Sequence, residues 1–485
     1  MTAAVPNNFG FARNPVRGVR KTVLARRHEL SLPPGPKGRL MTGVLREFRS
    51  DPFEYLRGCV AEYGDVVHVP LPIHDLVVVN TPDLVKYIMG DPTRYSMVGP
   101  YAPIATRIIG GTIPLLEGDQ LRERRKLMTP MFKHSSLNVL ADEIVDEFAT
   151  RIDRWGRWAD SGQIVDLQHE IAWLTMPAFM RAMFGFVPSD AEIGQLDHDL
   201  RMLLSSFAAA IFLSPPPKFM PLPGRDTLPR AWRRITTWIE TRVAHRRANP
   251  IEGTDMLQVL IDARDEDGKP LSHRDLVAEL AIMITGGYET VVASVSWTLA
   301  LLHRSPDDLD RLIAEVDALG GNRPTYADLK RLTWAKACFD EGQRLQGHPF
   351  HPRIALQDDV IGGHSIPKGT LVGVSVYALH RNERWWPHPD TFDPTRFTDR
   401  EVIAQRPVNA FIPFGSGPHR CIGSQLGYMN AQFILALFHQ RYRMHTDPGW
   451  TPKHASTFST TIEGGLPVRL ERVSADSSAT QRFGR

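Results

Sequence analysis

A cysteine in a glycine-rich turn is the first residue whose surroundings suggest chemistry. The stretch FGSGPHRCIG, residues 414–423, contains Cys421, one of only three cysteines among 485 residues. An apolar helical pattern follows from Ile422 to His439, so Cys421 lies just before a helix N-terminus, where free N–H groups favour an anion. His419 and Arg420 add positive charge, which also lowers the pKa of a thiol. Two uses stay open from spacing alone, a nucleophile and a metal ligand, and the small neighbouring residues favour the ligand.

An acid and a hydroxyl inside an apolar helical segment form the second candidate. The segment Leu276 to Leu302 contains Gly286-Gly287-Tyr288-Glu289-Thr290. A glutamate in such surroundings is costly unless it is paired, needed for function or able to reach solvent from one face of the helix. Thr290 can hydrogen-bond back to the carbonyl of Gly286, and the glycines weaken the helix at the same place. The pattern predicts a distorted helix with a groove beside an acid and a hydroxyl.

Composition excludes some classes of protein. The 57 basic side chains nearly balance the 54 acidic ones, and the formal net charge of +3 lacks the strong basic excess of a nucleic-acid binder. Cys59, Cys338 and Cys421 are too few and too scattered for a disulfide framework or a zinc site. We therefore expect a reducing, cytoplasmic compartment and no nucleic-acid partner.

The remaining patterns predict the elements that must position these residues. β-branched runs at 65–70 and 75–80 indicate strands, and 137–158 and 232–248 have the period of amphipathic helices. The charges and glycines between Leu276 and Leu302 favour a buried helix over a membrane span. We expect a mainly α fold with a minor β part (α+β) and no transmembrane helix.

Four motifs resemble those of a known family. The loop motif Phe414, Gly417, His419, Cys421 and Gly423 resembles, in order and spacing, the haem-binding signature of the cytochrome P-450 haem-thiolate monooxygenases. The other three motifs are the pair Glu341 and Arg344, the later Arg396, and the segment 286–290. Taken alone, Glu341 and Arg344 would be an ordinary surface ion pair. In the order in which they occur here, the motifs match the family.

The resemblance implies a domain organisation. It runs from about Leu32 to Leu470 and implies one cytochrome P-450 domain, with haem between the long central helix and the helix that follows the cysteine loop. Residues 1–31 are then a basic N-terminal tail, and residues 471–485 a flexible C-terminal tail.

The resemblance also assigns roles to residues. It makes Cys421 the axial thiolate of a haem b iron and Thr290 and Glu289 the catalytic pair that supplies protons to dioxygen. Residues that hold the haem by resemblance are His419, Arg353, Arg125, Phe414, Gly415, Gly423, Gly286 and Gly287. Glu341, Arg344 and Arg396 form a structural network beneath the haem. Leu121 departs from the family pattern, which often has Trp or His four residues before Arg125, so one haem-carboxylate contact should be lost.

The implied activity is oxygenation of a small hydrophobic molecule, of the terpene, steroid, fatty acid or polyketide class. Electrons would come from NAD(P)H through a separate ferredoxin-like donor that docks near Arg122, Arg124 and Lys126. The resemblance is to soluble bacterial members, and a peripheral membrane contact stays open. Substrate contacts are expected from Tyr101, Ile108, Phe207, Ile211, Ile282, Phe350 and Ile354.

Three alternatives remain from the residues. One is a haem-thiolate enzyme that uses peroxide or rearranges its substrate, and another is a non-catalytic haem sensor. Neither needs the pair Glu289 and Thr290. The third is a cysteine hydrolase, which would bind no haem.

Overall fold

The secondary structure is mostly helical. The computed structural model describes residues 32–39, 42–71, 75–97, 110–213, 227–251, 255–265, 267–455 and 459–473, with the backbone alone for 205–213 and 227–228. The helices are α1 (Leu45–Ser50), α2 (Pro52–Tyr63), α3 (Pro82–Gly90), α4 (Gly118–Met128), α5 (His134–Asp153), α6 (Gly156–Ser161), α7 (Leu167–Phe184), α8 (Asp190–Leu213), α9 (Thr227–Ala248), α10 (Met256–Asp262), α11 (His273–His303), α12 (Pro306–Asp317), α13 (Thr333–Gln346), α14 (Val376–Leu379), α15 (Arg400–Gln405) and α16 (Ser424–Arg441). The strands are β1 (Val66–Pro70), β2 (Asp75–Val79), β3 (Tyr95–Ser96), β4 (Val165–Asp166), β5 (Phe350–Ala355), β6 (Asp359–Ile361), β7 (His364–Ile366), β8 (Leu371–Ser375), β9 (Tyr442–His445) and β10 (Pro467–Arg472). The mainly α fold with a minor β part is confirmed.

Helix α11 is the long central helix. Ser272 caps its N-terminus and accepts the N–H of Asp275 at 3.0 Å. Most of its side chains are buried, and it packs against α7, α9, α13 and α16. Among the described helices, α11 alone is long and apolar enough to cross a membrane, yet 72% of its most apolar window lies inside the protein. The expectation of a buried helix from Leu276 to Leu302 is confirmed.

A five-stranded sheet lies beside the helices. Its strand order is β1-β2-β8-β5-β3, with β2 and β8 parallel and the other neighbours antiparallel. The strands predicted at 65–70 and 75–80 are β1 and β2. In β2, Val77 and Val79 join one apolar cluster while Leu76 and Val78 join another, as the two-residue period of a strand requires. The same alternation in β5 decides which of its side chains reach the functional site.

Two boundaries differ from the sequence prediction. The helix predicted over 137–158 is two helices, because the chain turns between α5 and α6, where Trp155 is buried against Phe438. Strand β10 pairs with β9 as far as Arg472. Glu471 and Arg472, which we assigned to a flexible C-terminal tail, therefore belong to this strand.

Candidate functional site

A cavity of about 390 Å³ lies between α11 and the loop that precedes α16. Most of the predicted site residues line it, namely Arg125, Ile282, Gly286, Gly287, Thr290, Arg353, Phe414, Gly415, His419, Cys421 and Gly423. These residues come from four separate stretches of the chain. The structure therefore brings the cysteine loop, the glycine–threonine segment and the predicted cations to one place.

The cysteine loop is held in shape by two glycines. Gly415 and Gly417 have φ angles of 72° and 70°, a region that glycine adopts without strain. A Cβ on Gly417 would lie 2.0 Å from the carbonyl oxygen of Met89, so the loop packs directly on the end of α3. The Cys421 N–H donates to the Phe414 carbonyl at 2.9 Å. These contacts fix the position of the cysteine next to the cavity.

We predict that Gly417→Ala destabilises the protein and lowers its cofactor content. The left-handed conformation costs a non-glycine residue about 1–2 kcal/mol, and the clash with the Met89 backbone adds to it. Gly464→Ala is the matched control, since Gly464 has φ 76° and a Cβ added there would meet no atom within 4 Å. Chemical unfolding should show a clearly larger loss for Gly417→Ala, and equal losses would contradict the close approach.

Charge around Cys421 differs from the sequence expectation. Burial raises the pKa of the Cys421 thiol, while the Gly423 N–H and the charges of Arg125 and Arg420 oppose this rise. The pKa of His419 is lowered to about 4, mainly by burial, so this ring is neutral and adds no positive charge. The prediction that His419 helps to form the thiolate by its charge is wrong.

Buried hydrogen-bonding groups without protein partners line one side of the cavity. Among the described residues, His419 Nε2 and His351 Nε2 have no hydrogen-bond partner. The buried Arg353 donates from Nη1 to the Pro352 carbonyl at 2.8 Å, and burial lowers its pKa to about 10. Arg125 donates to the Arg420 carbonyl at 2.8 Å. Unpaired buried polar groups are costly, so this cluster is suited to a ligand that carries carboxylates.

Helix α11 presents a polar groove to the cavity. Thr290 Oγ1 donates to the Gly286 carbonyl at 2.8 Å, as the sequence predicts. A Cβ on Gly286 would meet no atom within 4 Å, so this glycine leaves open space beside the hydroxyl. Gly287 has a different reason to be glycine, because its Cβ would lie 2.5 Å from the ring of Phe179 on α7.

Glu289 does not line the cavity. Its carboxylate is buried and accepts a hydrogen bond from Ser459 Oγ at 2.9 Å. Burial raises the pKa of Glu289 to about 7, although the hydrogen bond from Ser459 and the charge of Arg201 lower it. The acid predicted from sequence is therefore buried and near its titration point at neutral pH, but it does not face the cavity directly.

We predict that Glu289→Gln becomes more stabilising, relative to the wild type, as the pH rises. Between the unfolded pKa of 4.5 and the folded value of about 7, the native state holds the proton more tightly, so wild-type stability falls with rising pH. Gln stays neutral, and the difference in unfolding free energy should grow by up to about 3 kcal/mol from pH 5 to pH 8. Glu123→Gln on the exposed face of α4 is the control. A difference that does not change with pH would contradict the buried position.

A buried ion network joins α13 to the loop before the cysteine. Arg344 donates to both Glu341 oxygens at 2.7 Å and to the carbonyls of His380 and Pro389 at 2.7 Å. Arg396 completes it, with Nε 3.4 Å from Glu341 Oε1. The side chains of Glu341 and Arg344 are 0% exposed, so they are no surface pair. The predicted grouping of these three residues is present in the structure.

Comparisons with known proteins agree with this geometry. The family profile of cytochrome P-450 matches residues 33–466. The chain belongs to the cytochrome P-450 family. Cyclooctat-9-en-7-ol 5-monooxygenase of Streptomyces melanosporofaciens is 26% identical to it over 82% of this chain and 86% of the relative. Cytochrome P-450 4F2 of Homo sapiens is 29% identical to it over 83% of this chain and 82% of the relative. The crystal structure of the cytochrome P-450DA haem domain shares the fold, with a TM-score of 0.81 at 22% identity over 91% of this chain and 98% of that chain.

Membership of the cytochrome P-450 family makes this chain an oxidoreductase with a haem iron cofactor. The cavity passes two tests of fit for haem. It offers Cys421 as a soft iron ligand, and the buried Nε2 atoms of His419 and His351, which have no partner in the protein, are available to the haem carboxylates. His351 was missed by sequence reasoning, although its position two residues before Arg353 on β5 could have indicated it.

Some predicted residues of this cytochrome P-450 lie elsewhere. Phe350 packs in the apolar cluster on the other face of the sheet, and the buried Ile354 also does not line the cavity, so both substrate assignments are wrong. Arg124 pairs with the fully buried Glu279 instead of lying on an exposed basic face. Tyr101 and Ile108 lie outside the described residues. Phe207 and Ile211 fall in α8 where only the backbone is described.

Proposed function

We propose that this cytochrome P-450 is a monooxygenase that uses dioxygen and two electrons from a separate protein to oxidise a hydrophobic small molecule. One observation carries the proposal, namely that Cys421 and Thr290 line the same mostly apolar cavity. The domain responsible begins at about residue 32 and extends to the end of β10. A cytoplasmic location fits the few, scattered and unpaired cysteines.

Haem, when bound, supplies dioxygen activation at an iron whose thiolate ligand donates electron density. The protein would hold this group through Cys421, with Arg125, Arg353 and His419 toward its carboxylates. Open space at Gly286 would leave room for a bound molecule beside this face of α11. Thr290 offers a hydroxyl there, already oriented by its bond to the Gly286 carbonyl.

The substrate is proposed to be hydrophobic because the accessible lining is mostly apolar. Ile113, Phe179, Ile282, Met283 and Val291 contribute to it. A relative is named as a monooxygenase for cyclooctat-9-en-7-ol, which supports the terpene class among those expected. Secondary metabolism is the proposed setting.

The electron donor is proposed to dock on the exposed part of α4. Arg122 and Lys126 are exposed there and can attract an acidic partner, whereas Arg124 is withdrawn into its pair with Glu279. The attraction should weaken as salt is added.

We predict that Thr290→Ala uncouples electron use from product formation. Loss of the hydroxyl removes the group that orders proton delivery, so product per NADPH should fall about tenfold while peroxide rises. Thr285→Ala is the matched control, since Thr285 makes the same back-bond to the Ala281 carbonyl at 2.7 Å but does not line the cavity. Unchanged coupling in Thr290→Ala would instead favour the peroxide-using alternative.

Labelled oxygen tests the proposed function itself. Holoenzyme, a plant-type ferredoxin, its reductase and NADPH are incubated under ¹⁸O₂ with geraniol, progesterone or dodecanoic acid. The substrate used is the one that most strongly converts the haem spectrum to high spin. A product with one ¹⁸O atom, formed only with NADPH, supports a monooxygenase. Label-free product formed from peroxide alone would contradict it.

A further inference from the structure

Glu289 and the cavity are connected by a residue from a distant part of the chain. Ser459 lies on the segment before β10, 170 residues from Glu289 in sequence. Its hydroxyl donates to Glu289 Oε2 at 2.9 Å, and Ser459 itself lines the cavity together with its neighbour Thr460. Ser459 is therefore in contact with both the buried acid and the space where oxygen chemistry takes place.

Two charged groups on α8 influence Glu289 electrostatically. Asp197 raises the pKa of Glu289 and Arg201 lowers it. Arg201 Nε donates to Asp197 Oδ1 at 2.7 Å, and the hydroxyl of Tyr288 donates to the same oxygen. The Arg201 side chain is 43% exposed, whereas Tyr288 is buried. The partly exposed Arg201 and its partner Asp197 are thus near enough to Glu289 for their charges to act on it.

We propose that Ser459 is a positioning residue that passes protons between Glu289 and the cavity. This inference rests on the proposed function, because it gives the acid of α11 a route to the site of oxygen reduction. A hydroxyl suits the task because it donates one hydrogen bond and accepts another at the same time. Ser459 gives its proton to an acceptor in the cavity and takes one from the Glu289 carboxyl. It stays neutral, and Glu289 is left as a carboxylate.

The proton on Glu289 is then restored from the surface side. The cluster of Asp197 and Arg201 lies on that side, at the partly exposed face of α8. Thr290 is placed on the cavity side, on the same face of α11 as Gly286. In this arrangement Thr290 acts from the cavity and Glu289 from outside it. Ser459 connects the two, because it bonds to Glu289 and lines the cavity.

An isosteric pair of variants separates the hydroxyl from the shape of the side chain. Ser459→Thr keeps the hydroxyl and Ser459→Val replaces it with a methyl group, while Ser459→Ala covers the case in which the larger side chains do not fit. Thr460→Val is the matched control, because Thr460 lines the same cavity but donates to the carbonyls of Gln346 and Gly347. Reduced-CO spectra of all variants first establish equal haem content.

The first readout needs no turnover. The infrared carbonyl band of protonated Glu289 is identified by its absence in Glu289→Gln, in difference spectra between pH 5 and pH 8. We expect this band to move to higher wavenumber in Ser459→Val and Ser459→Ala and to stay in place in Ser459→Thr and Thr460→Val. An unmoved band in all four variants would overturn the proposed contact.

The second readout is coupling, measured as product per NADPH and as peroxide, with the solvent isotope effect in D₂O. Ser459→Val and Ser459→Ala should lose about tenfold in coupling and show a larger isotope effect, while Ser459→Thr keeps both near wild type. If Thr290→Ala and Glu289→Gln uncouple the enzyme but the Ser459 variants do not, the inference fails and the proposed function stands. If none of these changes affects coupling, the proposed function fails.

Discussion

Cys421→Ala is expected to abolish NADPH-driven oxygenation and the spectrum of thiolate-ligated haem. Cys421 is the only described cysteine that lines the cavity, since Cys59 and Cys338 are buried elsewhere. Without its sulphur no residue of the cysteine loop can donate the electron density that thiolate ligation supplies. Arg353 and His419, which would hold the haem carboxylates, are unchanged in this variant, so some haem should still bind.

The control for this variant is Cys59→Ala. Cys59 lies in the apolar cluster on the far face of the sheet, so its loss removes a thiol without touching the cavity. It should keep the wild-type spectrum and turnover. Retention of a thiolate-type spectrum in Cys421→Ala would place the iron ligand elsewhere and contradict the site.

Breaking the ion network of Glu341 and Arg344 should have the largest effect on folding. Arg344→Met removes the two charge-assisted hydrogen bonds to the buried Glu341, and it leaves the carbonyls of His380 and Pro389 without their donor. Removing one partner of a buried pair costs about 3–5 kcal/mol. A loss of this size should leave little haem-containing protein, as seen by unfolding and by haem content.

Two further variants test why this pair matters. Arg122→Met is the matched control, because Arg122 pairs with Asp119 three residues away, at the spacing of Glu341 and Arg344, but on the surface. It should have no measurable effect on unfolding or on haem content. The double change Glu341→Leu with Arg344→Met removes both charges yet leaves the carbonyls unpaired, so we expect only partial recovery. Full recovery would mean that charge alone, and not the hydrogen bonds to the loop, makes Arg344 necessary.

The cysteine loop and the ion network could be predicted because each depends on short, local spacing. Gly417 must be glycine for its φ angle and its contact with Met89, and the cysteine follows it at a fixed distance. Glu341 and Arg344 share one face of α13 because they are three residues apart. Such patterns are visible in one sequence.

The periods of a helix and of a strand bear differently on the residues that lie outside the cavity, namely Glu289 on α11 and Phe350 and Ile354 on β5. The helical period alone did not exclude Glu289 from the cavity, because the adjacent residues Gly286 and Gly287 both line it. In a strand alternate side chains face opposite ways, so Phe350 and Ile354 point away when Arg353 faces the cavity. The error at Phe350 and Ile354 could therefore have been avoided from spacing.

Long-range pairings could not be predicted from the sequence. Ser459 meets Glu289 across 170 residues, and Glu279 meets Arg124 across 155. Nothing in the residues near Ser459 indicates such a partner, because a lone serine in a loop is common. These contacts depend on how α11, α4 and the chain before β10 pack together.

The visible spectrum of the reduced full-length protein under carbon monoxide tests the central claim most directly. Thiolate ligation by Cys421 predicts the strongly red-shifted Soret band that distinguishes this family from other haem proteins. A band typical of histidine-ligated haem, or well-folded protein that binds no haem, would contradict the assignment of Cys421 and the mechanism built on it.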